Sequence, residues 1–238
     1  MDFMQAFAGS GKNPIRPDDA LILLAKAPVP GKVKTRLSPP LTETEAAALY
    51  ACILEDTASE MGRLKGVVRY LFFAPPSGKM FFRGEPFSRF TPLSQSGGDL
   101  GARMESAFHA AFARGHARAV LVGADCPGLS ASLVRAAFRE LASSAGAVFG
   151  PSRDGGYYLI ALSSPAPSLF RGVNWGSSSV LSEATARCRQ AGLPYALLPP
   201  RFDVDTGADV ALLARRAKAR SIPAGPRTRR WITSRRAG

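Results

Sequence analysis

Residues 24–37 read LAKAPVPGKVKTRL, and this stretch decides how the rest of the chain is understood. The apolar residues Leu21 to Ala25 run straight into it, as a buried strand would. It then carries four cations, Lys26, Lys32, Lys34 and Arg36, no acid, and the turn-formers Pro28, Pro30 and Gly31. A phosphate group needs cations and backbone N–H donors at close range. Gly31 allows near approach of the backbone, and an arginine can fork onto two oxygens. The segment is not a Walker A loop, because GxxxxGK[ST] does not occur in it. The plain alternative is a solvated basic loop, but such loops are rarely threaded with this turn chemistry directly after a buried strand.

Downstream, Thr42 and Glu45 have capping-box spacing, and Leu41, Ala46, Leu49, Ile53 and Leu54 form the apolar stripe of a helix. The strand-to-helix connection is then about 16 residues, a length that is usually functional when it carries no regular structure. Further strands are expected at Val67–Phe73, Ala119–Gly123, Ala147–Gly150, Tyr157–Leu162 and Tyr195–Leu198, and helices at Leu100–Arg114, Ala131–Ala142, Ser177–Ala191 and Ala208–Lys218. The Phe-rich stretch from Met80 to Leu93 has no clear period. Alternating strands and helices predict a three-layer α/β/α domain with a mostly parallel central sheet. Ligands of such sheets sit at the carboxyl ends of the strands.

The chain of 238 residues suits one such domain. We expect an extension over residues 1–18, the domain over 19–214, and a basic, disordered tail over 215–238. The net charge is +13, but the last 24 residues hold eight arginines, one lysine and no acid, so only +4 belongs elsewhere. That tail is either solvated or a tether to a polyanion, which makes a polyanion-binding adaptor a third reading of the chain. Nothing points to sequence-specific nucleic-acid binding. No apolar run nears the roughly 20 residues of a membrane-spanning helix, and the N-terminus lacks a secretory pattern, so a cytoplasmic location is expected. The dispersed Cys52, Cys126 and Cys188 form neither a zinc pattern nor a disulfide framework. Nothing in the sequence sets the oligomeric state.

Carboxylates stand where chemistry is expected. Asp125, in GADCPGL, falls just past an apolar strand, where an isolated carboxylate is costly without a cation and Mg2+ or Mn2+ is a natural partner; a turn or helix cap is the alternative. In FDVDTGADV, Asp203 and Asp205 point the same way in extended backbone, although Asp205 also suits a helix cap. In PSRDGGYYLIAL, Arg153 and Asp154 precede two glycines, Asp154 could accept hydrogen bonds or act as a base, and Tyr157 could stack on an acceptor. Trp175 either lines an acceptor pocket or is a structural indole. Gly98 and Asp99 lie in GGDLGARM, where Asp99 could equally cap a helix. His109 and His116 are given no catalytic role.

KTRL after a glycine-containing loop looks like the signature of nucleotidyltransferases and nucleotide-sugar enzymes of the GT-A fold. The ordered set LAKAPVPGKVKTRLSPPL, GGDLGARM, VGADCPGL, GPSRDGGYYLIAL, NWGSSSVL and FDVDTGADV resembles the DUF2064 family of glycosyltransferase-like proteins over Leu21 to Leu213. It is similar, more distantly, to 2-phospholactate guanylyltransferase and molybdenum cofactor guanylyltransferase. The resemblance implies a GT-A-like fold, Asp125 on a metal that bridges nucleotide phosphates, Asp205 as a second metal or substrate contact, and Gly98 and Asp99 near base and ribose. The implied activity is metal-dependent sugar transfer from a nucleotide-diphospho-sugar to a small-molecule acceptor. Guanylyl or cytidylyl transfer from a nucleoside triphosphate to a phosphorylated small molecule, with pyrophosphate release, is the rival.

Overall fold

The computed structural model describes residues 18–218 and 224–235. Seven strands, β1 (Asp19–Lys26), β2 (Val67–Ala74), β3 (Thr91–Ser94), β4 (Arg118–Val122), β5 (Ala147–Pro151), β6 (Tyr157–Leu162) and β7 (Tyr195–Leu197), form one sheet among the described residues, in the order β3-β2-β1-β4-β6-β5-β7. The helices are α1 (Glu43–Met61), α2 (Leu100–Phe112), α3 (Ala131–Ser143), α4 (Val180–Gln190), α5 (Gly207–Lys218) and α6 (Pro226–Ser234). The α/β class with a mostly parallel sheet is as expected. One strand is reversed: β6 runs antiparallel to both β4 and β5. The short connection through Ser152–Gly156 explains it, because a parallel crossover needs a dozen or more residues and a short loop permits only a hairpin.

Alternation along β1 assigns its faces. Leu21, Leu23 and Ala25 pack toward α1 and α3, with Leu54, Met61 and Phe138 in the same cluster. Ala20 and Ile22 pack toward α2 and α4, with Phe108 and Cys188. A sheet buried on both faces explains why its strands read as near-continuous apolar runs. A third cluster joins Leu37, Leu49 and Ile53 to Phe202, Val204, Leu213 and Ile232, so the basic loop, α1, α5 and α6 share one apolar seam. Thr42 caps α1 in a full capping box with Glu45.

At the amino ends of β1 and β4, Asp19 and Arg118 face each other in register. The guanidinium donates from Nε to Asp19 Oδ1 at 2.8 Å and from NH2 to Oδ2 at 2.9 Å, and from NH1 to the Phe138 carbonyl at 2.9 Å. Both side chains are buried. The opposite, carboxyl end of the sheet is where the chain reverses direction, passing from β1 to β2 and β3 on one side and returning to β4 on the other. That crevice is the usual ligand position in such sheets.

The segment from residue 76 to 90 forms two 3-10 turns, Pro76–Phe82 and Phe87–Arg89, around a contact group of Phe73, Phe81, Phe82 and Phe87. Two expected regions differ in what the structure describes. Residues 1–17 of the extension lie outside the described residues. Within the stretch expected to be a disordered tail, α6 is a helix seated on α1: the Asp56 carboxylate accepts from the Arg227 and Thr228 amides at 3.1 and 2.8 Å, and Ile232 is buried. Arg227 pairs with Glu55 at 2.8 Å and Arg235 with Glu45 at 3.0 Å. The acids of α1 supply what this basic, apolar-poor segment lacks.

Candidate active site

The carboxyl ends of β1 and β4 and the amino end of the reversed β6 open onto a cavity of about 640 Å³. Lys26, Lys32, Lys34 and Arg36 all line it. Gly31 does not; it makes the turn, at a φ of +72°, and a Cβ there would stand 2.8 Å from Glu43 Oε2. The Lys26 amide donates to the buried Tyr50 hydroxyl at 3.0 Å, and Gln95 Nε2 donates to the Ala25 and Phe72 carbonyls at 2.7 and 2.9 Å, which fixes the rim where β1 and β2 end.

Lys34 differs from its neighbours. Its backbone is left-handed, at φ 48° and ψ 39°, the sole non-glycine with positive φ among the described residues. That conformation costs a residue with a Cβ about 1–2 kcal/mol. Lys32 and Arg36 are exposed, whereas the Lys34 side chain is 7% exposed. Its Nζ lies 2.6 Å from Asp125 Oδ1 and 2.5 Å from Asp205 Oδ1. Burial by itself would lower the ammonium's pKa; Asp125 and Asp205 together outweigh burial and raise it above its ordinary value, so the group is charged. Its partners among the described residues are these two carboxylates.

The carboxylates are gathered by backbone ties. The Val204 amide donates to the Asp125 carbonyl at 3.0 Å and the Arg201 amide to the Pro151 carbonyl at 2.9 Å, which lays residues 201–205 beside the ends of β4 and β5. Asp154, Asp203 and Asp205 thereby offer oxygens that all lie within 4.8 Å of one another. Burial first, then Asp154 and Asp205, pushes the Asp203 carboxyl up to about 6. Three carboxylates at this spacing fit a hard divalent cation such as Mg2+ or Mn2+. Asp205 belongs both to this set and to the Lys34 bridge. Just before α5, the Asp205 and Thr206 amides donate to Asp209 Oδ2 at 3.2 and 2.7 Å, which fixes the backbone that carries Asp205.

The opposite wall is apolar and aromatic: Leu24, Leu100, Met104, Leu121, Tyr157 and Trp175. Tyr157 and Trp175 meet edge to face at 6.4 Å, and the Tyr157 hydroxyl and Trp175 Nε1 are buried without a hydrogen-bond partner among the described residues. A Cβ on Gly101 would lie 2.5 Å from Trp175 Nε1, so the glycine of GGDLGARM admits the indole against α2. Gly155 has φ +93°, and a Cβ there would meet the Ser178 carbonyl at 2.0 Å; its own carbonyl accepts from the Leu181 amide at 2.9 Å, which ties the Asp154 loop to the start of α4.

Of the remaining residues singled out in the sequence, Gly98 lines the cavity, while Asp99 lies outside its wall and caps α2, accepting from the Ala102 amide at 2.7 Å. Arg153 is exposed and does not line the cavity. Cys126 does, but burial and then Asp203 push its thiol up to about 12, which leaves it unreactive at neutral pH. Sequence reasoning missed Gln95 and Tyr50, whose long-range partners leave no local pattern, and the Lys34 bridge.

Among solved structures, a protein from Desulfovibrio desulfuricans G20 provisionally named a nucleotide-diphospho-sugar transferase is 32% identical, over 92% of this chain and 96% of that one, with a TM-score of 0.84. The 4-diphosphocytidyl-2C-methyl-D-erythritol synthase of Anaerococcus prevotii is 10% identical over 85% of this chain and 97% of its own, at a TM-score of 0.53. A cytidylyltransferase from Leptospira borgpetersenii is 11% identical over 92% and 94%, at 0.52. The last two share the fold alone. No curated protein matches the sequence. Residues 57–177 match DUF2064, described as uncharacterised proteins conserved in bacteria. With that match and a relative 32% identical along nearly its whole length, this chain belongs to the DUF2064 family and has the nucleotide-diphospho-sugar transferase fold.

Proposed function

We propose that the protein is a transferase acting on nucleotide-linked substrates, and that it moves a sugar from a nucleotide-diphospho-sugar to a small-molecule acceptor with the help of Mg2+ or Mn2+. The observation that carries this reading is the convergence, in one cavity at the switch point of the sheet, of the cationic loop on one side and Asp125, Asp154, Asp203 and Asp205 on the other. The likeness to the Desulfovibrio protein supports it.

Lys26, Lys32 and Arg36 would meet the diphosphate oxygens, and Gly98 would let the nucleotide lie close to the backbone before α2. Asp203 and Asp205, with Asp154 or Asp125, would hold the ion. When bound, such an ion neutralises charge that develops on a departing diphosphate. Tyr157 and Trp175 form the wall against which an acceptor would lie. Asp154 is exposed, its Oδ1 held by the Gly156 amide at 2.9 Å, and in this reading would accept the proton of an acceptor hydroxyl as that oxygen bonds to the anomeric carbon. The leaving nucleoside diphosphate carries away the electrons of the broken C–O bond.

Product analysis tests this. Incubation with nucleotide-diphospho-sugars and Mn2+ is expected to release free nucleoside diphosphate. Pyrophosphate release from GTP or CTP in the presence of a phosphorylated small molecule, with nucleotide-sugars left intact, would replace sugar transfer by nucleotidyl transfer.

A further inference from the structure

The Lys34 ammonium occupies a place of unusual chemistry. It is buried, it sits at 2.6 and 2.5 Å from oxygens of Asp125 and Asp205, and its backbone is held in the left-handed region while the cations on either side of it face solvent. Two carboxylates converging on one small cation is the arrangement that binds a divalent ion. An ammonium and a metal ion cannot share that position. Lys34 also lies in the loop whose other cations, Lys26, Lys32 and Arg36, line the same cavity, so a phosphate bound by them would lie within reach of the same segment.

We propose that Lys34 is a resident cation: in the nucleotide-free protein it holds Asp125 and Asp205 together and keeps a divalent ion from the position between them, and it yields that position when nucleotide phosphate gives its ammonium another partner. The proposal rests on the reading above only in requiring a divalent ion and a nucleotide phosphate. It makes Lys34 a positioning residue. The part-exposed carboxylate pair stays neutralised and preorganised without metal, and metal entry is coupled to nucleotide entry because the ion takes the two carboxylates as the phosphate takes the ammonium.

The test is a titration of the nucleotide-free protein with Mn2+, followed by the electron paramagnetic resonance of the free ion. Lys34→Met is expected to bind Mn2+ about tenfold or more tightly than wild type, the effect of removing one like charge a few ångströms from the ion. On the Lys34→Met background, Asp125→Asn is expected to abolish the gain, because it removes one of the two carboxylates that the vacated position offers the ion. Thermal melts report whether each variant folds. If Lys34→Met does not fold, Lys34→Gln, equally without charge, is titrated in its place with the same expected gain. Unchanged or weaker binding by the folded neutral variant would overturn the proposal, as would failure of every form to bind Mn2+. In wild type, addition of a nucleoside diphosphate separates the two readings. Mn2+ bound with it but no gain in Lys34→Met defeats the resident cation alone, whereas no Mn2+ bound with or without it also defeats metal-dependent transfer.

Discussion

Single residues in this protein differ sharply in what they contribute, and burial decides which matter. Asp19 is fully buried against Arg118, and removing one partner of such a pair leaves an uncompensated charge in the interior. Asp19→Asn is therefore expected to lower stability by about 3–5 kcal/mol in urea unfolding. The exposed Arg171–Glu105 pair at 2.7 Å is of the other kind, and Arg171→Ala should leave the urea midpoint close to wild type. In the loop, Arg36 is exposed and faces the cavity, so Arg36→Ala should leave stability unchanged but weaken nucleotide binding by about 1.5–3 kcal/mol, the worth of a charged hydrogen bond; calorimetry checks it. The types and order of these residues were visible in the sequence. The partner of Lys34 was not, because Asp205 lies 171 residues away and no local pattern encodes the approach.

At the level of elements, local signals located most strands and helices, and the failures have physical causes. The capping box at Thr42 and Glu45 fixed the start of α1 in advance, since both hydrogen bonds lie within four residues. The reversal of β6 was hidden because an apolar strand looks alike in either direction; only the short Ser152–Gly156 loop carried the information. α6 was hidden for a different reason. Its cap is Asp56, in α1, and its apolar contribution is little more than Trp231 and Ile232. Asp56→Ala removes the acceptor of two α6 amides and is expected to cost about 1 kcal/mol. A chain ending after residue 218 should melt at a lower temperature than the full chain, because α6 covers part of the seam that joins α1 to the basic loop. An unchanged melting temperature would mean that α6 contributes nothing to that seam.

The whole molecule is arranged so that opposite ends of one sheet do different work. The amino ends of β1 and β4 are locked by a buried ion pair, and their carboxyl ends diverge into the cavity where the basic loop meets four carboxylates. Among the described residues no helix is long and apolar enough to cross a membrane. Part of the C-terminal positive charge is matched within the fold, through Glu45, Glu55 and Asp56. The central claim is that this cavity binds a nucleoside diphosphate together with a divalent cation through Asp205, the carboxylate common to the Lys34 bridge and the acidic trio. Calorimetric titration of wild type and Asp205→Asn with nucleoside diphosphates, with and without Mn2+, tests it most directly. The expected result is binding that Mn2+ strengthens in wild type, with that gain lost in Asp205→Asn; binding that is indifferent to Mn2+, or equally strengthened by it in the variant, would contradict the claim.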